Sequence, residues 1–252
     1  MRALLAEKQV DDSLVWLDDG IRVLNGTYAG MRSLIAEELR NKDALSASVI
    51  PRSTIAAAVK RALDLAIAAL SLAVSAPILA ILALLVKLHD GGPIIYRRRV
   101  VGRSGNFDAY KFRSMRVDAD AVLVNDPALR RQFETNVKLV ADPRVTSVGG
   151  FLRKFSLDEL PQLVNVVKGQ MSLVGPRMIS PPELERYGEA KALLLSVRPG
   201  LTGYWQVYGR QRVDYAERVR MDVFYIQNWS LALDLKLLLL TPMRVLKGTG
   251  AY

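Results

Sequence analysis

Asp158 and Glu159 are adjacent carboxylates in a stretch, FLRKFSLDELPQL at 151–163, whose surroundings are rich in cations. Arg144, Arg153 and Lys154 precede the pair, and Lys168 and Arg177 follow it. This combination suits magnesium and phosphate chemistry: the acids hold the metal or attack phosphorus, and the cations neutralise phosphate oxygens. A plainer use fits the same residues. Ser156 with Glu159 three positions later is a capping-box pattern, which would satisfy backbone donors at a helix start and nothing more. Leu160, Leu163, Val164 and Val167 follow at helical spacing and give that helix a buried face. An acidic group at a helix N-terminus is favoured in either role, so the residues alone leave both uses open.

Composition narrows the chemistry further. The 252-residue chain has no cysteine, which excludes disulfides, thiolate metal sites and a cysteine nucleophile. Its one histidine, His89, argues against a zinc site or a histidine-based triad and reads as a polar residue at a helix end. Residues 1–50 carry six Lys/Arg against eight Asp/Glu, so within a net charge of +10 the remaining residues hold +12. A body this basic suits an anionic partner: nucleic acid, a phospholipid surface or a phosphorylated substrate. The apolar segment described next favours the last two over nucleic acid.

The elements that must position the acids can be read in order. Residues 1–51 are expected to form a short lead-in without a cleaved leader, helical at 33–40. Residues 67–86, IAALSLAVSAPILAILALLV, are an unbroken apolar run of twenty. At about 1.5 Å per residue this matches a bilayer core of roughly 30 Å, the length of one transmembrane helix. Two features argue against a plain span and leave open, beside a kinked spanning helix as the default reading, a hairpin-like helix that enters and leaves one leaflet. Pro77 lies mid-run behind Ser75, where proline bends a helix and serine can satisfy the freed backbone group. Cations also flank both ends: Arg52, Lys60 and Arg61 before, and Lys87, Arg97, Arg98, Arg99 and Arg103 after. Positive charge is normally kept on the cytoplasmic side, and a straight span would strand one cluster outside.

After Gly91-Gly92-Pro93, residues 94–96 and 107–112 read as short strands around the polar turn GRSGN, a possible hairpin pattern. Residues 110–115 alternate apolar and cationic side chains, as a half-buried strand would. Residues 116–140 are helix-prone and polar, a lid or surface segment. DPRVTSVGG at 142–150 reads as a loop into the helix of the acidic pair, which ends at Lys168-Gly169. MSLVGPRM at 171–178 reads as a buried strand and a turn presenting Arg177, whose fork of donors suits phosphate or a salt bridge. Residues 183–196 and 214–228 are helical. Tyr204, Trp205 and Tyr208 are either core or a membrane-boundary cluster. Residues 230–240, apolar but broken by Asp234 and Lys236 and followed by Pro242, fit a helix lying in the interface.

KFRSM at 111–115, DPRVTSVGGFLRKFSLDELPQL at 142–163, MSLVGPR at 171–177 and RPGLTG at 198–203 occur in one order behind the apolar segment. Together they strongly resemble the bacterial sugar transferases, the monotopic polyprenyl-phosphate phosphoglycosyl transferases, over residues 52–252. The ending, with NWSLALDLKLLLLT and GAY, is similar to the branch that begins exopolysaccharide or O-antigen units with a hexose phosphate.

The resemblance implies an α+β, mainly helical fold. Residues 52–90 would form a re-entrant membrane helix broken at Ser75 and Pro77. Residues 91–252 would form a small catalytic domain with short strands and interfacial amphipathic helices, on the cytoplasmic face of a bacterial inner membrane. It implies transfer of a sugar 1-phosphate, glucose or galactose, from a UDP-sugar to undecaprenyl phosphate with release of UMP. Asp158 would be the nucleophile, forming an aspartyl-phosphosugar, and Glu159 with Asp158 would hold Mg2+. Lys111, Arg113, Arg153 and Arg177 fall on the family's basic positions around the phosphates, and Asp222 matches a further acid near the site. Membrane lipids would be partners and nucleic acid would not; a homo-oligomer is compatible with this reading. One departure stands out: the family pattern continues GPR with proline, where this chain has Met178, which could relax the loop presenting Arg177. The alternative function is a catalytically inactive, membrane-anchored protein that binds anionic lipid or nucleic acid.

Overall fold

The computed structural model describes residues 53–136, 142–209 and 213–246. The expected lead-in at 1–51, with its helix at 33–40, lies outside them. Helices dominate the described residues, with short strands between them, as the α+β, mainly helical reading requires.

Helix α1, Thr54–Asp90, is 37 residues long, about 55 Å at 1.5 Å per residue. It ends where Gly91 turns left-handed and donates its amide to Lys87 O at 2.9 Å. Contrary to the break implied at Ser75 and Pro77, the helix is continuous through both. The Ser75 hydroxyl donates to Ser71 O at 2.6 Å, and a lone proline removes only one bond of a ladder that the neighbouring turns maintain. Burial along α1 is confined to two places. Asp64 and Ala68 are buried near one end and Leu82 and Val86 near the other, each pair four residues apart, and between them no residue is buried. The helix therefore docks on the body at both ends, while its middle stands clear with Leu70, Val74 and Ile78 exposed.

The two docks differ in chemistry. At the second, Leu82 and Val86 pack with Phe112 and Leu152. Asp90 there grips the Arg113 guanidinium through both carboxylate oxygens. At the first, Arg61 donates to Val166 O at 2.8 Å and Val167 O at 3.1 Å, and Arg198 donates to Gly169 O at 2.8 Å. These guanidinium groups cap the carbonyl end of helix α5, Gln162–Val167.

Strands β1, Ile95–Val100, and β2, Phe107–Phe112, form the antiparallel hairpin. β1 is longer than residues 94–96 suggested. It runs through the three arginines because Arg98 finds Glu183 at 2.9 Å and Arg99 finds Asp108 across the ladder at 3.1 Å. Helices α2, Ala119–Asn125, and α3, Pro127–Asn136, follow; no residue of α2 is buried.

Helix α4, Ser147–Lys154, already begins within the expected loop at 142–150 and is capped by Thr146, whose hydroxyl accepts from Gly149 N at 2.8 Å. A Cβ on Gly149 would lie 1.9 Å from Ser114 O, so only glycine lets this helix lie against the chain beyond β2. The acids lie on a separate 3-10 turn, Leu157–Glu159, between α4 and α5.

Strand β3, Ser172–Val174, pairs in parallel with β4, Gly200–Thr202, a pairing the sequence reading did not anticipate. It explains two motifs together. A Cβ on Gly175 would come within 2.6 Å of Arg198 O, so the GPR and RPG turns touch backbone to backbone. Met178, at the position of the departure, is 2% exposed and fills the core beneath this turn. The expected helix at 183–196 is in pieces: α6, Pro181–Leu184, a 3-10 stretch Glu185–Ala190, and α7, Lys191–Leu195, interrupted at Gly188. Helices α8, Tyr204–Tyr208, and α9, Tyr215–Gln227, follow, with Tyr204 in the core between Tyr208 and Phe224. Helix α10, Leu231–Leu246, continues past Pro242, where an end was expected. Asp234 and Leu237 on α10 face inward, and Leu235, Leu239 and Met243 are exposed.

Candidate active site

The turn carrying the acids is entered through Ser156, whose φ of 55° is the left-handed region that non-glycine residues avoid. Its side chain makes no capping bond, so the capping-box use of Ser156 and Glu159 is not realised. The box occurs instead at Ser180 and Glu183, where Glu183 accepts from Ser180 N at 2.8 Å. With no cap to serve, the strained entry leaves Asp158 and Glu159 pointing among cations.

Glu159 is gripped on both oxygens. Lys111 donates to Oε1 at 2.6 Å, and Arg177 forks across the carboxylate at 2.9 and 2.5 Å. Although burial opposes its charge, Arg177 and Lys111 together hold the carboxyl far below the usual carboxylate range. Asp158 is different. Lys111 stands 3.8 Å from its Oδ2, beyond hydrogen-bond reach. Burial dominates and pushes its pKa up; Lys111, Arg153 and Arg177 oppose the shift and Glu159 adds to it. Two adjacent acids thus have environments that pull their pKa values apart, a recurring mark of acids with distinct roles.

The structure brings Lys111 and Arg177 onto the pair. Arg153 is near, its Nε donating to Ser114 Oγ at 2.8 Å while its charge acts on Asp158. Arg113 is engaged elsewhere. Besides Asp90, its guanidinium donates to Pro93 O at 2.6 Å and Met115 O at 3.0 Å, fastening the end of α1 to β2. Lys111 and Arg113 look equivalent in sequence, but β2 ends between them, at Phe112.

Asp222, on α9, is fully buried and accepts from Tyr187 Oη at 2.8 Å. Burial raises its pKa to about 7, against the pull of Arg218, the Tyr187 hydroxyl and the Arg177 amide. It therefore lies behind the Arg177 turn. Ser75 and Pro77 belong to the exposed middle of α1 and not to this centre.

Sequence reasoning missed three supports. Ser114 holds Arg153, Tyr187 holds Asp222, and Asp90 holds Arg113. Of these, Ser114 lies within the KFRSM motif, and Asp90 is an acid among cations just past the apolar run.

No cluster of three or more metal-binding side chains occurs among the described residues. Two adjacent carboxylates nevertheless fit Mg2+, which is commonly held by one or two protein carboxylates and completed by substrate phosphates.

The profile of the bacterial sugar transferase family matches residues 55–248. The exopolysaccharide production protein ExoY of Sinorhizobium fredii is 44% identical over 221 residues, covering 84% of this chain and 98% of that protein. The undecaprenyl-phosphate galactose phosphotransferase of Salmonella typhimurium is 48% identical over 198 residues, 77% of this chain and 41% of that protein. The UDP-glucose:undecaprenyl-phosphate glucose-1-phosphate transferase of Escherichia coli is 39% identical over 211 residues, 80% of this chain and 43% of that protein. The chain thus spans about two fifths of the latter two and nearly all of ExoY. The matched region holds the acidic turn, both cations that grip it and the paired GPR and RPG turns, and on that match the chain belongs to the bacterial sugar transferase family.

Proposed function

We propose that this chain is a phosphoglycosyl transferase that moves a sugar 1-phosphate from a UDP-hexose to polyprenyl phosphate, opening exopolysaccharide or O-antigen assembly. The observation carrying this reading is the split between the acids: Glu159 is held by cations on both oxygens, with acceptor capacity left only on Oε2, whereas Asp158 has no hydrogen-bonded cation and burial pushes its pKa up. Asp158 is therefore the nucleophile. Its carboxylate oxygen attacks the sugar-bearing phosphorus, a P–O bond to the bridging oxygen breaks, and UMP leaves. A phosphate oxygen of the lipid then attacks the same phosphorus and releases Asp158 as carboxylate, yielding the polyprenyl diphosphate sugar. Carboxylates perform such attacks when phosphorus is held in line.

Asp158 and Glu159 would hold Mg2+, which would neutralise charge on the diphosphate. Lys111 and Arg177 orient Glu159 and, with Arg153, supply fixed positive charge where oxygens become more negative. Arg113 supports the site through Asp90 instead of meeting phosphate.

The docking of α1 at both ends supports one-sided insertion at the cytoplasmic leaflet of the inner membrane. A span would place the Ser172 and Leu173 contacts of Asp64 and the Arg113 contact of Asp90 on opposite sides of the bilayer, although both belong to one folded body. The exposed middle of α1, continuous through Ser75 and Pro77, then faces the lipid with Leu70, Val74 and Ile78, and Leu235, Leu239 and Met243 of α10 rest on it.

Intact mass of the full chain, incubated with magnesium and UDP-glucose or UDP-galactose without acceptor, tests the chemistry. A hexose-phosphate adduct on wild type and none on Asp158→Asn is expected. UMP release only upon adding polyprenyl phosphate, without any adduct, would recast Asp158 as a metal ligand. Neither product would favour the inactive, lipid-binding alternative. For the membrane, Ser53→Cys and Ser104→Cys should be labelled from the same side; labelling from opposite sides would overturn one-sided insertion.

A further inference from the structure

A second cluster of buried charge lies away from the acidic turn, where the first arm of α1 meets α10 and β3. Lys60 Nζ is 2.5 Å from Asp234 Oδ2 and 3.7 Å from Asp64 Oδ1. Asp64 accepts from Ser172 Oγ at 2.8 Å and from Leu173 N at 3.1 Å. Asp234 accepts from Tyr225 Oη at 2.7 Å and Trp229 Nε1 at 3.0 Å, and Tyr225 Oη also lies 3.1 Å from Val174 O. Both acids are buried, at 5% and 6% exposure. None of these residues is near enough to the acidic turn to share a hydrogen bond with it.

The cluster converges on β3. An acid from α1 takes the Leu173 amide and the Ser172 hydroxyl, and the Tyr225 hydroxyl has one proton to share between Asp234 of α10 and the Val174 carbonyl. Three residues beyond Val174 stands Arg177, which forks across Glu159. Simply fastening α1 to the body would not require gripping strand backbone; the Arg61 contacts with α5 already do that.

We propose that Lys60, Asp64 and Asp234 are positioning residues: by clamping β3 between α1 and α10, they set the reach of Arg177 to Glu159. The proposal rests on the transferase reading. Its consequence is that the two helices with lipid-facing residues scaffold the catalytic arginine, so the depth at which they sit is coupled to the first half-reaction. Misplacing a charged donor by a fraction of an ångström is enough to slow such a step.

The test is a double-mutant cycle on the full chain in nanodiscs, following adduct formation from UDP-glucose and UDP-galactose by intact mass. Asp64→Ala is expected to slow adduct formation about tenfold with donor KM nearly unchanged, and to add nothing on an Arg177→Ala background. Asp64→Asn, which keeps an acceptor for Leu173 N, should restore most of the rate. Equal losses in both backgrounds would overturn the proposal. If Asp64→Ala does not fold, Asp234→Asn and Ser172→Ala enter the same cycle with the same criterion. Should wild type form no adduct and release no UMP, the transferase reading fails. Hydrogen exchange then decides the clamp separately: protection at 173–177 lost in Asp64→Ala but kept in Asp64→Asn sustains it, and unchanged protection ends it.

Discussion

Two lysines in this protein each stand between two carboxylates at nearly the same distances. Lys111 is 2.6 Å from Glu159 and 3.8 Å from Asp158; Lys60 is 2.5 Å from Asp234 and 3.7 Å from Asp64. The difference lies in what else the acids touch. Asp64 and Asp234 are satisfied by a serine hydroxyl, a backbone amide, a tyrosine and an indole, so their charge is spent on holding three elements together. At the other centre Glu159 is met by cations alone, and Asp158 is left with burial and distant charge. A buried acid surrounded by hydroxyls and amides is a fastening. A buried acid that no donor grips, such as Asp158, is available to a substrate.

The sharpest way to break that contrast is at Asp158. Asp158→Asn should lower turnover by a factor on the order of 10,000, read as UMP release. Because the folded pKa of Asp158 is raised, its ionisation at neutral pH costs stability. The same variant should therefore melt higher at neutral pH, with the gain fading as pH falls toward about 4. Glu159→Gln should lose activity as well but move stability the other way. Its carboxyl is held low, so it stabilises above the ordinary Glu range and that contribution is lost on acidification. Removing its charge leaves the half-buried Lys111 and Arg177 without their partner, a loss of about 1–3 kcal/mol by denaturant titration. If both variants melted alike, the two acids would not differ as argued.

Asp64→Ala follows with its smaller effect on the rate of adduct formation. The mildest test concerns Asp222. Its folded pKa of about 7 exceeds the unfolded value, about 3.9, so the native state holds the extra proton between them. Stability should fall as pH rises through that window, and Asp222→Asn should flatten the fall. A pH–stability curve unchanged by the substitution would contradict the raised pKa.

Much of this contrast was legible in the residues, but unevenly. The acidic turn announced itself because both acids and their cations sit in short, ordered motifs. The structure sets Lys111 and Arg177 against the acids, yet Arg113 was not distinguished from Lys111, because its partner Asp90 stands 23 positions away. The Lys60 cluster stayed hidden for the same reason, since Lys60 and Asp234 are separated by 174 positions. Acids inside apolar runs were its one signal. The hairpin and α9 were visible through alternation and helical period. The β3–β4 pairing was not, because three-residue strands carry no period of their own.

Residue types and spacing were enough for the apolar helix and for an acidic pair set among cations, with the cap use of that pair still open. Both follow from local facts: which side chains are present, how they are spaced, and how long the apolar run is. Which cations face the acids, that Ser156 caps nothing, and that α1 docks at both ends with its middle exposed came from the folded arrangement alone. Those outcomes depend on groups far apart in the chain meeting in a dry interior, where each buried charge must find a partner and the fold settles which one it is.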